Sequence, residues 1–271
     1  MTGAMNTSQS SASMLKGDTP AQAVRIAELE AQVVALQTEM QSLTASISHD
    51  LRAPLRHITS FAQLVQEEAG PQLNAEMREF LGHISSAAKR LGSMLDGLLA
   101  LSRIGTVALH PEPVDLAELV QTLVQERKVA LQSQASGRVV VWTVDKSPWL
   151  TVQADARVLR QTLGHVLDNA LQFSGSQLQL DIGVTVSVDV QAGELYCTVS
   201  DSGVGFAPEQ AALLFKPFVR LNNSSQHPGL GMGLALVRKG LQRMGADVGI
   251  SATLQDGCQV VLRLPLASAD F

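Results

Sequence analysis

Only two cysteines occur in 271 residues, Cys197 and Cys258, in separate strand-like segments without metal-ligand spacing. No disulfide framework and no zinc motif are expected, and two reduced thiols fit a cytoplasmic chain. Aromatic residues make up 4% of the sequence, against 45% hydrophobic residues rich in Leu, Val and Ala, which describes a globular protein with much helix. Positive charge is not in excess. The net charge is -5 and the isoelectric point about 5.7, so the electrostatic footprint of a nucleic-acid binder is missing. There is no signal peptide and no apolar run long enough to span a bilayer, so membrane insertion is not expected.

What is present is periodic. Residues 1–21 are Ser-, Thr-, Gly- and Gln-rich without pattern and are expected to be disordered. Ile26, Leu29, Val33, Leu36, Met40, Leu43 and Ile47 then alternate spacings of three and four, an a/d seam that predicts a coiled-coil helix over 22–48. The apolar positions continue to Glu68, Ala69-Gly70-Pro71-Gln72 breaks the helix, and a second helix follows from about Asn74 to Ile104. Such a hairpin, 49–105, cannot bury both apolar faces alone. Two copies make a four-helix bundle, so a homodimer is expected. Gly105, Pro111 and Pro113 mark a linker over 106–114. From Asp115, which with Glu118 resembles a capping box, to about residue 266 the pattern mixes helices and strands into an α+β sandwich, with a tail at 267–271. The fold class expected is therefore multi-domain, an all-α hairpin followed by an α+β domain.

Four segments carry chemistry. Ser48-His49-Asp50-Leu51-Arg52-Ala53-Pro54-Leu55-Arg56 places a carboxylate beside an imidazole and two guanidiniums three and seven residues later on nearly one helical face. In the heptad register Ile47 is an a position and His49 a c position, outside the seam. That arrangement suits a nucleophilic nitrogen receiving an anion, and Pro54 is expected to bend the helix one turn later. Taken alone, the segment also fits a solvated helix histidine with incidental charges. Asn169, in Asp168-Asn169-Ala170, offers a neutral oxygen suited to Mg²⁺ between protein and phosphates. Asp201-Ser202-Gly203-Val204-Gly205-Phe206 fixes a carboxylate at a strand end to accept from an exocyclic amine, beside glycines that let backbone approach a ligand, although a plain turn explains the segment equally well. Gly229-Leu230-Gly231-Met232-Gly233 runs into a helix and exposes N–H groups at its positive end, a phosphate cradle that is neither a Rossmann fingerprint nor a P-loop.

In that order, with Phe215-x-x-Phe218 between the glycine segments, these motifs closely resemble the sensor histidine kinases of bacterial two-component systems, over about residues 26–266. The phosphoacceptor segment is most similar to the phytochrome-type kinases. The resemblance implies a Bergerat-type ATP-binding domain at 115–266 and a dimerisation and phosphotransfer hairpin at 49–105, fed by the signalling helix 22–48. It implies that His49 accepts the γ-phosphoryl group of ATP while Asp50 holds its other nitrogen and Arg52 and Arg56 steady the phosphoryl charge. Asp201 would read adenine, Asn169 would bind Mg²⁺, and Gly203, Gly205, Gly229, Gly231 and Gly233 would form the glycine loops. Phe215 and Phe218 would pack a lid over the nucleotide. The partner implied is a response-regulator receiver domain, and the input an upstream sensor domain or protein outside this chain.

Three positions depart from the family pattern. His165 stands where the first Asn of the Asn169 helix usually is, and as a cofactor-binding candidate it is a softer, pH-dependent ligand. Gln172 replaces a basic residue, for which Lys216 or Arg220 would have to compensate. Ala53 stands where relatives that dephosphorylate their regulator carry Thr or Asn, so phosphatase activity is expected to be weak. The alternative reading is a catalytically degenerate dimeric scaffold or phosphotransfer protein.

Overall fold

The computed structural model describes residues 20–132, 139–145, 151–173, 179–189, 192–221 and 229–267. The chain divides into two compact units, Met1–Met40 and Gln41–Phe271. What is described of the first is helical, the opening of α1 (Pro20–Ala69). Its Ile26, Leu29, Val33, Leu36 and Met40 side chains are all exposed in the single chain. The disorder expected over 1–21 lies outside the described residues, except that the helix already includes Pro20 and Ala21.

In the second unit α1 continues through Pro54 without interruption. Proline removes one backbone bond there, to the Asp50 carbonyl, and the rest of a 50-residue helix carries on around it. A 3-10 turn at Gly70–Gln72 ends α1, and Asn74 opens α2 (Ala75–Thr106) by accepting from the Met77 N–H at 2.8 Å. α2 returns alongside α1 and meets it where Arg52 pairs with Asp96.

The α+β part holds β1 (Glu112–Asp115), α3 (Leu116–Gln132), β2 (Val139–Val144), β3 (Thr151–Ala154), α4 (Ala156–Gln172), β4 (Gln179–Asp189), β5 (Glu194–Asp201), α5 (Gly233–Arg243), β6 (Asp247–Ala252) and β7 (Cys258–Pro265). Five strands form one sheet in the order β2-β4-β5-β7-β6, parallel at β2–β4 and antiparallel elsewhere. Leu180, Ile182 and Val184, Leu195, Cys197 and Val199, and Val260, Leu262 and Leu264 are buried at every second position, as one covered face requires. Against them pack Leu159, Leu163, Val166, Leu167 and Ala170 of α4, a stripe of three- and four-residue spacing, with Leu116, Val120 and Leu123 of α3 and Val237 and Leu241 of α5.

One expectation needs correction. The segment read as a linker over 106–114 contains a strand, since α2 runs to Thr106 and β1 pairs antiparallel with β3 in a separate two-stranded sheet. Pro113 is compatible with it because β1 has a neighbour on one side only, so a missing N–H breaks no second ladder. Asp115 closes the strand and caps α3, its Oδ1 accepting from the Glu118 N–H at 2.9 Å.

Candidate active site

His49 sits on α1 with 86% of its side chain exposed, so nothing in the single chain blocks approach to the ring. Its Nδ1 lies 3.3 Å from Asp50 Oδ1, which leaves Nε2 as the nitrogen away from the carboxylate. The flanking Ser48 is by contrast fully buried, its hydroxyl without a partner. Arg52, one turn on, gives a terminal nitrogen to Asp96 Oδ1 of α2 at 2.6 Å. Arg52 and Arg56 border a groove of about 410 Å³ between the two helices, lined also by Thr59, Gln63, Lys89 and Asp96. Ala53, one turn past the histidine, is half-buried and carries no hydrogen-bonding group.

A second cluster forms where β5 and α4 end and α5 begins. Burial raises the Asp201 carboxyl from its ordinary 3.8 to about 6, against the opposing pull of the Gly203 and Cys258 backbone N–H groups. Gly203 N–H reaches Asp201 Oδ1 at 2.9 Å, and the loop continues with Val204 N–H on the Phe173 carbonyl at the end of α4. Gly205 has φ +59°, and a Cβ there would overlap the Thr253 carbonyl, so no other residue fits. The Asn169 amide lies against the first turn of α5, because a Cβ on Gly233 would stand 3.5 Å from Asn169 Oδ1. Gly231 has φ +69° under the Val219 carbonyl, and its own carbonyl accepts from Phe218 N–H at 3.0 Å. Gly229 faces the Gln172 amide, with a Cβ there only 2.6 Å from Nε2. The glycine segments, Asn169 and Asp201 are thus anchored to the same helix ends.

The two phenylalanines of the expected lid differ in their surroundings. Phe215 packs on the core with the Arg238 guanidinium 5.3 Å over its ring. Phe218 is 42% exposed with φ +63°, and its tie to Gly231 is through the backbone. Lys216 is exposed, and the Arg220 stem lies over Gly231. His165 is half-buried, with Nε2 shielded and unpaired, and burial lowers its pKa while Asp168 opposes and Arg127 adds to the shift. Arg127 of α3 fastens this part of α4 through Asp168 Oδ1 at 2.9 Å and the Gly164 carbonyl at 2.8 Å.

Several contacts had no local sequence signal. Met232, between the cradle glycines, is buried with Leu236 against Ile104 of α2, beside Ala100 and Leu101. Arg243 of α5 donates to the Ile104 and Val107 carbonyls at 2.7 and 2.9 Å, satisfying the end of α2. Cys258 is the cross-strand partner of Asp201, and burial with that neighbouring carboxylate pushes its thiol up to about 12. A larger cleft of about 550 Å³ opens beside Thr143, Gly183, Ser200, Ser251 and Gln259, cross-strand neighbours on the sheet face away from the helices. It meets the glycine loops only at Asp201–Ser202 and Gly257. Among the described residues no group of three His, Cys, Asp or Glu converges as a metal site, and no helix is long and apolar enough to cross a membrane.

Residues 39–107 match the His Kinase A (phospho-acceptor) domain, and residues 154–268 match the Histidine kinase-, DNA gyrase B-, and HSP90-like ATPase family. An uncharacterized sensor-like histidine kinase of Rhizobium meliloti is 31% identical over 82% of this chain and 42% of its own length. The histidine protein kinase DivJ of Caulobacter vibrioides is also 31% identical, over 83% of this chain and 37% of its own. The chain thus spans well under half of these relatives. Among solved structures, full-length ShkA in complex with AMPPNP is similar with a TM-score of 0.59 and 28% identity, over 84% of this chain and 46% of that one.

Proposed function

The chain belongs to the sensor histidine kinases, with their phosphoacceptor and ATP-binding domains, and from that premise we propose that it phosphorylates its own His49 from ATP and passes the group to an aspartate of a response-regulator receiver domain. The observation that carries this reading is the exposed imidazole whose Nδ1 is held by Asp50, leaving Nε2 to attack. In the step, the Nε2 lone pair forms the N–P bond as the bond from the γ-phosphorus to the bridging oxygen breaks, and ADP leaves with that electron pair. The positive charge gained by the ring is balanced at Nδ1–H by Asp50. Arg52 and Arg56 stabilise the phosphoryl charge.

Asp201 accepts from the adenine amine, and the N–H groups at Gly229, Gly231 and Gly233 meet the phosphates at the start of α5. A donor set of one amide oxygen, Asn169, beside a loop shaped for phosphates fits Mg²⁺, which takes few protein ligands and screens phosphate charge when bound. His165 stays neutral, and its unpaired Nε2 is satisfied by ligand or water. The exposed stripe Leu43, Ile47, Ile58, Phe61 and Leu64, with Phe80 and Ile84 of α2, supports a homodimer. The groove at Arg56 and Lys89 suits a receiver domain, whose phosphoacceptor end is acidic. A cytoplasmic location goes with these partners, and the sensory input comes from an upstream domain or protein. Ala53 offers no hydrogen bond to a water, so phosphatase activity is weak.

The test is label from γ-labelled ATP that is acid-labile and base-stable, and that disappears in both His49→Gln and Asp201→Asn. Label that persists in His49→Gln contradicts the assignment. The Gln172 amide at Gly229, where the family places a cation, supports a second reading, a degenerate scaffold that binds a receiver domain without turning over ATP. Undetectable nucleotide binding in calorimetry selects it.

A further inference from the structure

Arg52 follows His49 by one helical turn, and side chains on a helix lean back toward its N-terminus, so the guanidinium is directed to the level of the imidazole. It is not free there. One terminal nitrogen is taken by Asp96 Oδ1 at 2.6 Å, from the facing helix and 44 residues away in sequence. Both partners remain well exposed, and an ion pair of that kind contributes little to folding. What it does supply is orientation. Arginine has five N–H donors in a rigid fork, and a contact through a single terminal nitrogen leaves the other donors unoccupied by Asp96.

We propose that Asp96 is a positioning residue, which tethers Arg52 from α2 so that its remaining donors meet the phosphoryl group on His49 Nε2. This rests on the reading of His49 as phosphoacceptor. Untethered, the long Arg52 side chain spreads over many rotamers and meets the group in only some of them. Arg56 and Lys89 line the same groove and Asp50 lies against His49 Nδ1, and all three are unchanged in every variant below.

With the whole chain, the autophosphorylation rate at saturating ATP is expected to fall about tenfold in Asp96→Ala with KM for ATP unchanged, and to recover in Asp96→Glu. Arg52→Ala is expected to fall at least as far, and adding Asp96→Ala to it to cost nothing more. An unchanged rate in Asp96→Ala, or losses that multiply in the double variant, overturns the proposal. A second readout needs no nucleotide. His49 is loaded from phosphoramidate and its phosphoryl group titrated by ³¹P NMR. A well-placed cation lowers the phosphoryl pKa, so Asp96→Ala is expected to raise it as Arg52→Ala does. A lowered value means that Asp96 competes for Arg52, and overturns the tether. Wild-type protein that takes no label from ATP but keeps the ³¹P effect of Asp96 separates failure of the kinase reading from failure of this one.

Discussion

Asp201 combines two demands that pull against each other. A carboxylate reads an amine only when ionised, yet burial holds its pKa at about 6. Adenosine, whose base keeps its charge in this range, is therefore expected to bind about tenfold more weakly at pH 5 than at pH 7, as checked by calorimetry. Affinity that is flat across that range contradicts the assignment. The same shift works the other way on folding. The folded state holds a proton between 3.8 and about 6 that the unfolded chain releases, so this group's contribution to stability falls as pH rises through that window. At Gly231 the constraint is steric. A Gly231→Ala change has to adopt a left-handed φ, costing about 1–2 kcal/mol, and also displaces the Val219 carbonyl. Lost nucleotide affinity with retained helix content in circular dichroism is expected; unchanged affinity counts against a cradle. Asp201, Asn169 and the glycines were legible in sequence because each is a short motif whose chemistry is local. Asp96 was not, since only packing brings it to Arg52. The backbone bond from Phe218 to Gly231 had no signal in the sequence, because it depends on a left-handed turn that only the folded chain displays.

Helices α2 and α5 are joined by side chains far apart in the chain. Met232 and Leu236 close on Ile104, and Arg243 holds two terminal carbonyls of α2. Hydrogen bonds from a charged donor contribute about 1.5–3 kcal/mol each, so Arg243→Ala is expected to loosen the junction and raise protease cleavage across 105–111. Unaltered cleavage means that the contact is incidental. At this scale the sequence was informative where periodicity was clean, as in the apolar spacing from Ile26 to Glu68, which the structure shows as the single helix α1. Strand β1 escaped because Pro111 and Pro113 read as a break, and only pairing with β3 reveals an edge that tolerates proline. The proline in α1 did not obscure the helix, whose apolar spacing continues past it to Glu68, and α1 runs through Pro54 to Ala69.

At the scale of the whole molecule an exposed apolar stripe runs along the hairpin. Burial of such side chains is favourable by about 1.5–3 kcal/mol each, so a dimer is expected by analytical ultracentrifugation, and Ile58→Asp with Phe61→Asp is expected to yield monomer. A monomeric wild-type chain contradicts the four-helix bundle. Everything else converges on one nitrogen. The most direct measurement is NMR of ¹⁵N-histidine-labelled protein after incubation with Mg-ATP, which resolves the phosphorylated nitrogen. A phosphoryl group coupled to Nε2 of His49, absent in Asp201→Asn, is the expected result; coupling at Nδ1, or at a different histidine, contradicts it.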